Sequence, residues 1–300
     1  MKRILVTGGT TFVSKYVAKY FQSNNYDVYV LNRGTKQQID NVNLICSDRN
    51  NLGDSLKQYS FDVIIDVCGY NQKDIKNLLD AVGEFKDYIF ISSSAVYPET
   101  NTQPFSENQS IGVNKIWGKY GTDKIEAEEY LISRVPNAYI LRPPYLYGPM
   151  QNLYREPFVF ECALKNRKFY IPNDGKMKLQ FFHVDDLCKV IEKILEIHPK
   201  EHIFNVGNEK LVDINTFVEL CYKVVGAPLE KVYITNHSNQ RGYFSFYNYE
   251  YSLDVSRQSH LLLEQKDLFE GLKESYEWFK DNSDKVQKKS YIDFIQQNFE

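Results

Sequence analysis

The chain has 300 residues, 43% of them hydrophobic and 25% charged, a composition that fills a substantial core and excludes a disordered chain. Its formal net charge of −3, with no long run of like charges, offers no polyanion-tracking surface, so a nucleic-acid partner is not expected. Five scattered cysteines, Cys46, Cys68, Cys162, Cys188 and Cys221, contain no CxxC pair, which excludes a disulfide framework and a cysteine zinc site and suits a reducing compartment.

Residues 4–7 form a short apolar strand that reaches glycine almost at once, too short for a signal peptide. A glycine turn leads into a helix over about 12–22, and strands follow at 27–31, 42–45, 62–67 and 87–92, bounded by Gly, Asn, Asp or Ser. Apolar runs of this kind mark strands buried on both faces, and helices between them make βαβ units and hence a parallel sheet. A long helix is expected over 115–134 and a sixth strand at 138–141. Pro143, Pro144, Pro149 and Pro157 then mark where the chain leaves the sheet. Beyond them the pattern predicts a helix near 157–166, a hairpin-like stretch through Phe182, a helix over 185–197 and a strand at 203–206. A helix over 215–225, an irregular Tyr-rich stretch at 243–253 and two terminal helices complete the chain. The fold class is α/β, a Rossmann-type doubly wound parallel sheet with a smaller C-terminal lobe. No stretch approaches the roughly 18 continuous apolar residues of a membrane span, and a cytoplasmic protein without a membrane partner is expected.

The turn Gly8-Gly9-Thr10-Thr11-Phe12-Val13-Ser14 sits between the first strand and the first helix, where free N–H groups and the helix dipole favour a ligand phosphate. A dinucleotide fingerprint asks for three spaced glycines; Gly8 holds its place, and Thr11 and Ser14 replace the other two. Gly8, Thr10, Thr11, Phe12 and Val13 are therefore the candidates for holding a diphosphate. At the end of the second strand Asn32 stands where a carboxylate would bind ribose hydroxyls, and Arg33 follows it, a pairing that favours NADP(H) over NAD(H). Asp48, at the tip of the third strand, either accepts a hydrogen bond from an adenine amino group or caps a turn. Residues 1–150 read as a dinucleotide-binding domain, with sheet elements returning at about 178–207, and residues 151–300 mostly as a substrate-binding lobe with the terminal helices.

Tyr120 and Lys124 stand four apart, on one face of the long helix. A second such pair, Tyr276 and Lys280, lies in a terminal helix with no serine cluster ahead of it and reads as structural. Ahead of Tyr120 comes Ser92-Ser93-Ser94-Ala95-Val96-Tyr97.

The TGG turn, the serine triplet running into AVY, the YxxxK pair and an RPPYLYGP segment occur in that order, followed by QFFHVDD at 180–186 and FNVG at 204–207. Together they resemble the extended short-chain dehydrogenase/reductases, the NAD-dependent epimerase/dehydratase family. The altered glycine turn followed by Asn32-Arg33-Gly34 resembles an atypical branch of it that includes the chloroplast stem-loop RNA-binding proteins. The resemblance implies Ser93, Tyr120 and Lys124 as catalytic residues. Tyr120 would serve as acid or base on a substrate hydroxyl, Ser93 would bond the reacting oxygen, and Lys124 would also hold the cofactor. Dehydratases of the family carry an Asp-Glu pair where this chain has Ser94-Ala95, which disfavours dehydration. Epimerisation through transient oxidation, or simple reduction, is then expected.

On the substrate side the candidates are Ser94, Tyr145, His183 and Arg241, with Arg142 and Tyr147 at the mouth of the sheet; no metal is expected. Asp185 and Asp186 read as the N-cap of the following helix. The substrate expected is a small molecule of the nucleotide-sugar class, handled by a homodimer. Two alternatives stand beside it: a reductase of another small molecule, and a catalytically silent Rossmann protein that binds RNA or senses the cofactor.

Overall fold

The computed structural model describes residues 1–235 and 237–300. In chain order the first half runs β1 (Arg3–Thr7), α1 (Phe12–Ser23), β2 (Asp27–Asn32), β3 (Asn43–Cys46), β4 (Phe61–Asp66), α2 (Gln72–Ala81), β5 (Phe85–Ile91), α3 (Lys119–Arg134) and β6 (Tyr139–Arg142). The second half runs β7 (Tyr145–Tyr147), α4 (Glu156–Leu164), β8 (Phe169–Pro172), β9 (Lys178–Leu179), β10 (Phe181–His183) and α5 (Val184–Ile197). It ends with β11 (Ile203–Asn205), β12 (Val212–Asp213), α6 (Ile214–Val225), β13 (Lys231–Ile234), α7 (Leu268–Asn282) and α8 (Tyr291–Asn298).

Seven strands form one sheet in the order β11-β6-β5-β4-β1-β2-β3, every neighbouring pair parallel. Alternate residues of each strand point to opposite faces. Ile4, Val6, Val28, Val30, Val63, Ile65, Ile89 and Ile91 join one core with the apolar sides of α1 and α5. Leu5, Leu31, Ile64, Tyr88, Phe90 and Ile140 join a second core with those of α2 and α3. The sheet is thus covered on both faces, as its continuous apolar strands require. The order reverses between β1 and β4, so a crevice opens at the carboxyl ends of those strands.

Three local readings are corrected. The connections from β2 to β3 and from β3 to β4 contain no α-helix, so those crossovers are loops. The long helix begins at Lys119, not at 115: the Asn114 carbonyl oxygen of the side chain accepts from the N–H groups of Ile116 and Trp117, and Gly118 at φ +53° redirects the chain. The stretch through Phe182 is not a hairpin, because β8 pairs with β13, β9 with β12 and β10 with β7. These pairs belong to the C-terminal lobe, whose own core is rich in aromatic residues, among them Phe158, Phe169, Phe181, Phe217, Phe244 and Phe246.

Candidate active site

The first βα turn is built by two glycines at positive φ, Gly8 at +95° and Gly9 at +88°. A Cβ on Gly8 would lie 2.7 Å from both Cys68 Sγ and Ser14 Oγ, so only glycine fits there. Ser14 is buried in the position of the missing helix-packing glycine, and its hydroxyl donates to the Thr11 carbonyl at 3.0 Å. Thr11 precedes the helix in extended conformation without capping it through its side chain, which leaves the first-turn N–H groups of α1 without that partner. Phe12 takes φ +30°, a backbone region unfavourable for a side chain with a Cβ, so the altered fingerprint is accommodated by a locally strained non-glycine residue. Thr11, Phe12, Val13 and Ser14 of the turn line a cleft of about 320 Å³ together with Ser93, Tyr120, Lys124 and Arg155, whereas Gly8 and Thr10 each line a neighbouring cavity instead.

Ser93 and Tyr120 come together because α3 packs closely on the short turn at Ser94–Val96. Gly121 permits this: a Cβ there would lie 2.6 Å from the Ala95 carbonyl oxygen. The Tyr120 ring is exposed at the cleft, but crowding around its hydroxyl raises its pKa, and a hydrogen bond with Ser93 and the charge of Arg155 pull it back. Lys124 is buried, and its ammonium donates to the carbonyls of Gly69 and Ile91, each at 2.7 Å. Burial lowers its pKa to about 8, against the pull of Asp66. Two of the three ammonium N–H bonds are thereby used, and one is left for a ligand. Arg155, next to α4, was not among the residues singled out from the sequence. No motif surrounds it, and only the fold brings it beside Tyr120.

Arg142 lies inward rather than at the mouth of the sheet. It forms a buried fork to Glu128, with Nη2 to Oε2 at 2.5 Å and Nε to Oε1 at 3.0 Å, and its Nη1 donates to the Tyr97 hydroxyl at 2.8 Å. Ser92 donates to the same carboxylate at 2.5 Å, and Tyr97 donates to Asn205 at 2.8 Å. The network ties β5, β6, β11 and α3 together beneath the cleft.

At the other end, Gly8, Asn32, Arg33, Asp48 and Arg49 line a neighbouring cavity of about 360 Å³. Asn32 is committed to local structure: its amide donates to the Gly8 carbonyl at 2.7 Å and to Gln38 at 2.9 Å, and its oxygen accepts from Gly34 N–H. Asp48 accepts from the Asn50 N–H at 2.8 Å, and that bond is the main cause of its lowered pKa. Arg49 is held in a fork on the buried Asp66. Arg33 is exposed at the rim.

The substrate candidates separate. Ser94 donates to the Tyr251 hydroxyl at 3.1 Å, and Tyr145 packs on Tyr251 with ring centroids 5.9 Å apart. The Tyr145 hydroxyl is buried without a hydrogen-bond partner, the Arg155 guanidinium stands 5.0 Å over its ring, and Trp117 packs edge-on. Arg241 lies 4.5 Å over Tyr247, near enough to Tyr145 for its charge to act there. These residues form an aromatic cluster with two guanidiniums beside the cleft, and of them only Arg155 lines it, while Ser94, Tyr145 and Tyr251 are buried. His183 does not line the cleft. It is buried, and its Nδ1 accepts from the Asp185 N–H at 3.3 Å, making His183 the N-cap of α5 in place of Asp185 or Asp186. Burial drives its pKa down to about 3, so the ring is neutral and accepts that bond. Asp185 instead pairs with Lys189 at 2.9 Å, and Asp186 accepts from the Lys266 N–H at 2.7 Å. Lys280 lies 5.5 Å from the ring centroid of Tyr276 in the lobe and pairs with Glu277.

Among the described residues no group of His, Cys, Asp or Glu is arranged to hold a metal ion, and no helix is long and apolar enough to cross a membrane.

Residues 4–207 match the model of the NAD dependent epimerase/dehydratase family. The chain is 26% identical to the chloroplast stem-loop binding protein of 41 kDa b of Arabidopsis thaliana, over 92% of this chain and 78% of that one. Its fold matches the UDP-glucose 4-epimerase of Thermotoga maritima, solved with UDP-glucose, at a TM-score of 0.75 and 21% identity, covering 94% of this chain and 99% of the other. The UDP-glucuronic acid 4-epimerase of Bacillus cereus, solved with UDP-glucuronic acid and NAD, matches at a TM-score of 0.72 and 21% identity, covering 93% and 99%.

Proposed function

The chain belongs to the NAD dependent epimerase/dehydratase family, and from that premise we propose that it interconverts a hydroxyl and a ketone on a nucleotide-sugar-like substrate, by epimerisation or reduction. The observation that carries the reading is the cleft shared by Thr11, Phe12, Val13 and Ser14 of the first βα turn with Ser93, Tyr120 and Lys124. A nicotinamide coenzyme bound there would accept and return hydride. The turn residues Gly8, Thr10, Thr11, Phe12 and Val13 hold its diphosphate, and the remaining Lys124 N–H holds a ribose hydroxyl.

Tyr120 exchanges the proton of the substrate hydroxyl. A tyrosine of pKa about 10 that works near pH 7 needs its anion stabilised by about 4 kcal/mol. Crowding around its hydroxyl works against that. The Ser93 hydrogen bond and the Arg155 charge work for it, and Ser93 also orients the reacting oxygen. The aromatic cluster of Tyr145, Tyr247 and Trp117, with Arg155 and Arg241, suits a ring and an anionic group on the same substrate. Arg33 at the rim of the adenosine-side cavity favours NADP(H), because a guanidinium there meets a 2′-phosphate; Asn32 has no free donor to discriminate with.

The test is titration of the protein with NADPH and NADH by coenzyme fluorescence, followed by nuclear magnetic resonance of a UDP-sugar panel. Expected are NADPH binding with a preference lost in Arg33→Ala, and turnover lost in Tyr120→Phe with coenzyme affinity kept. A folded protein that binds neither coenzyme would overturn the reading. A second reading, a cofactor-silent protein that binds RNA, is favoured by Thr11 and the positive φ of Phe12 and by the likeness to the stem-loop binding protein. Salt-dependent binding of a stem-loop RNA, together with absent coenzyme binding, is its signature.

A further inference from the structure

The turn after β4 runs Cys68-Gly69-Tyr70, and Tyr70 projects a side chain that is 54% exposed. Tyr70 lines two spaces at once: the adenosine-side cavity, with Gly8, Arg33 and Asp48, and the cleft that holds Ser93, Tyr120 and Lys124. Its backbone is fixed on both sides. The Tyr70 N–H donates to the Asp74 carboxylate at 2.9 Å, and the Gly69 carbonyl accepts from the Lys124 ammonium at 2.7 Å. A Cβ on Gly69 would lie 2.7 Å from Ile75 Cδ1 and 2.8 Å from Asp66 Oδ2, so the turn has room only for glycine there. The Lys124 ammonium stands 5.4 Å from the centre of the Tyr70 ring and 4.6 Å from that of Phe90. Two rings and the carbonyls of Gly69 and Ile91 therefore surround it, and Lys124 as a whole is 2% exposed.

Phe90 is fully buried in the core beneath the sheet, whereas Tyr70 stands on the solvent side, so Tyr70 is the removable member of this shell. An aromatic cover has a specific chemistry. Its face attracts a cation and keeps water away, yet it does not take up an ammonium N–H as an oxygen acceptor does. A carboxylate or carbonyl in the same place would consume the last N–H of Lys124, and water there would compete for it. We propose that Tyr70 is a positioning residue whose ring covers the Lys124 ammonium, keeping it dry on the Gly69 and Ile91 carbonyls with one N–H free for a coenzyme ribose hydroxyl. The exposed face of the same ring stands at the junction of the two spaces, where a dinucleotide spanning them meets it. The coenzyme side of this proposal rests on the oxidoreductase reading; the shielding of Lys124 does not.

The test is timed acetylation of the full chain with acetic anhydride, read lysine by lysine by peptide mass spectrometry, in the parent, Tyr70→Ala and Tyr70→Phe. Expected is labelling of Lys124 that is severalfold faster in Tyr70→Ala, with the other lysines unchanged, and back at the parent's rate in Tyr70→Phe, which keeps the ring. Lys124 labelled no faster in Tyr70→Ala, a rise at all lysines alike, or the same rise in Tyr70→Phe would overturn the proposal. Titration with NADPH by coenzyme fluorescence tests the other face: affinity should weaken about tenfold in Tyr70→Ala, the order of one lost aromatic contact, and be restored in Tyr70→Phe. Tight binding by the parent with no loss in Tyr70→Ala would overturn the positioning role toward the coenzyme. A parent that bound no NADPH would sink the oxidoreductase reading, while the acetylation rates would still decide whether Tyr70 covers Lys124.

Discussion

Replacing Glu156 by glutamine should make the protein more stable, and increasingly so as pH rises. Glu156 opens α4 with its side chain fully buried, and neither carboxylate oxygen has a hydrogen-bond partner of good geometry. Burial pushes its pKa from 4.5 up to about 7, while the nearby Arg155 charge and the Gly148 and Glu156 peptide groups offset only part of the effect. The folded chain therefore holds a proton that the unfolded chain releases above pH 4.5. The stability that this proton provides is complete at pH below about 4.5, declines as pH climbs, and is gone above about 7. At about 1.36 kcal/mol per unit, the difference amounts to about 3 kcal/mol. A glutamine of the same size never ionises and escapes that loss. Urea denaturation of both proteins at about pH 5 and about pH 8.5, by tryptophan fluorescence, measures it. The advantage of Glu156→Gln should grow by about 2.5 kcal/mol between the two conditions, because at pH 5 the unfolded carboxyl is already partly ionised. An advantage that is the same at both would refute the reasoning, and with it the idea that this carboxyl lacks compensating partners.

Glu128→Ala leaves the buried Arg142 guanidinium without its fork and should cost about 3–5 kcal/mol, read as a lower urea midpoint. Gly121→Ala forces a Cβ against the Ala95 carbonyl. It should displace Tyr120 from Ser93 and lower kcat/KM by about 10²-fold while the protein remains folded by circular dichroism. Arg155→Gln removes a charge that favours the tyrosinate, so the acidic limb of the pH–kcat/KM profile, below which Tyr120 is protonated, should move to higher pH; an unmoved limb would remove Arg155 from that role. In Tyr120→Phe, coenzyme affinity within about threefold of the parent and turnover below detection are expected, measured by fluorescence and product analysis.

The sheet was legible in the sequence because its strands are buried on both faces and so read as unbroken apolar runs between Gly, Asn and Asp, as at 62–67 and 87–92. That Ser93, Tyr120 and Lys124 share one cleft was legible because spacing along one helix and position at a strand end are local properties, while the roles given to them rest on the family resemblance. Partnerships across the fold were not. Nothing in the spacing of Arg142 and Glu128 says that they form a buried fork, and the same holds for Arg49 and Asp66. Arg142 was therefore placed at the mouth and not beneath it. The caps failed for a related reason. Asp185 and Asp186 look like caps by residue type, yet a histidine whose burial keeps it neutral accepts the N–H bond first. Arg155 carries no local signal at all, and reaches the cleft only because the lobe folds back over the sheet.

The sheet closes late along the chain. Its edge strand β11 pairs with β6, but the two are separated by the first part of the lobe, so the polypeptide from Arg142 to Ile203 must emerge before the seventh strand can be laid down. Until then the hydrogen-bonding edge of β6, with the fully buried Ile140 and Leu141, is bare. A fragment ending near residue 150 would carry that unpaired apolar edge permanently and invite strand addition from another copy. A nascent chain on the ribosome would be exposed to the same hazard for the time needed to make about sixty residues, roughly 3–12 s.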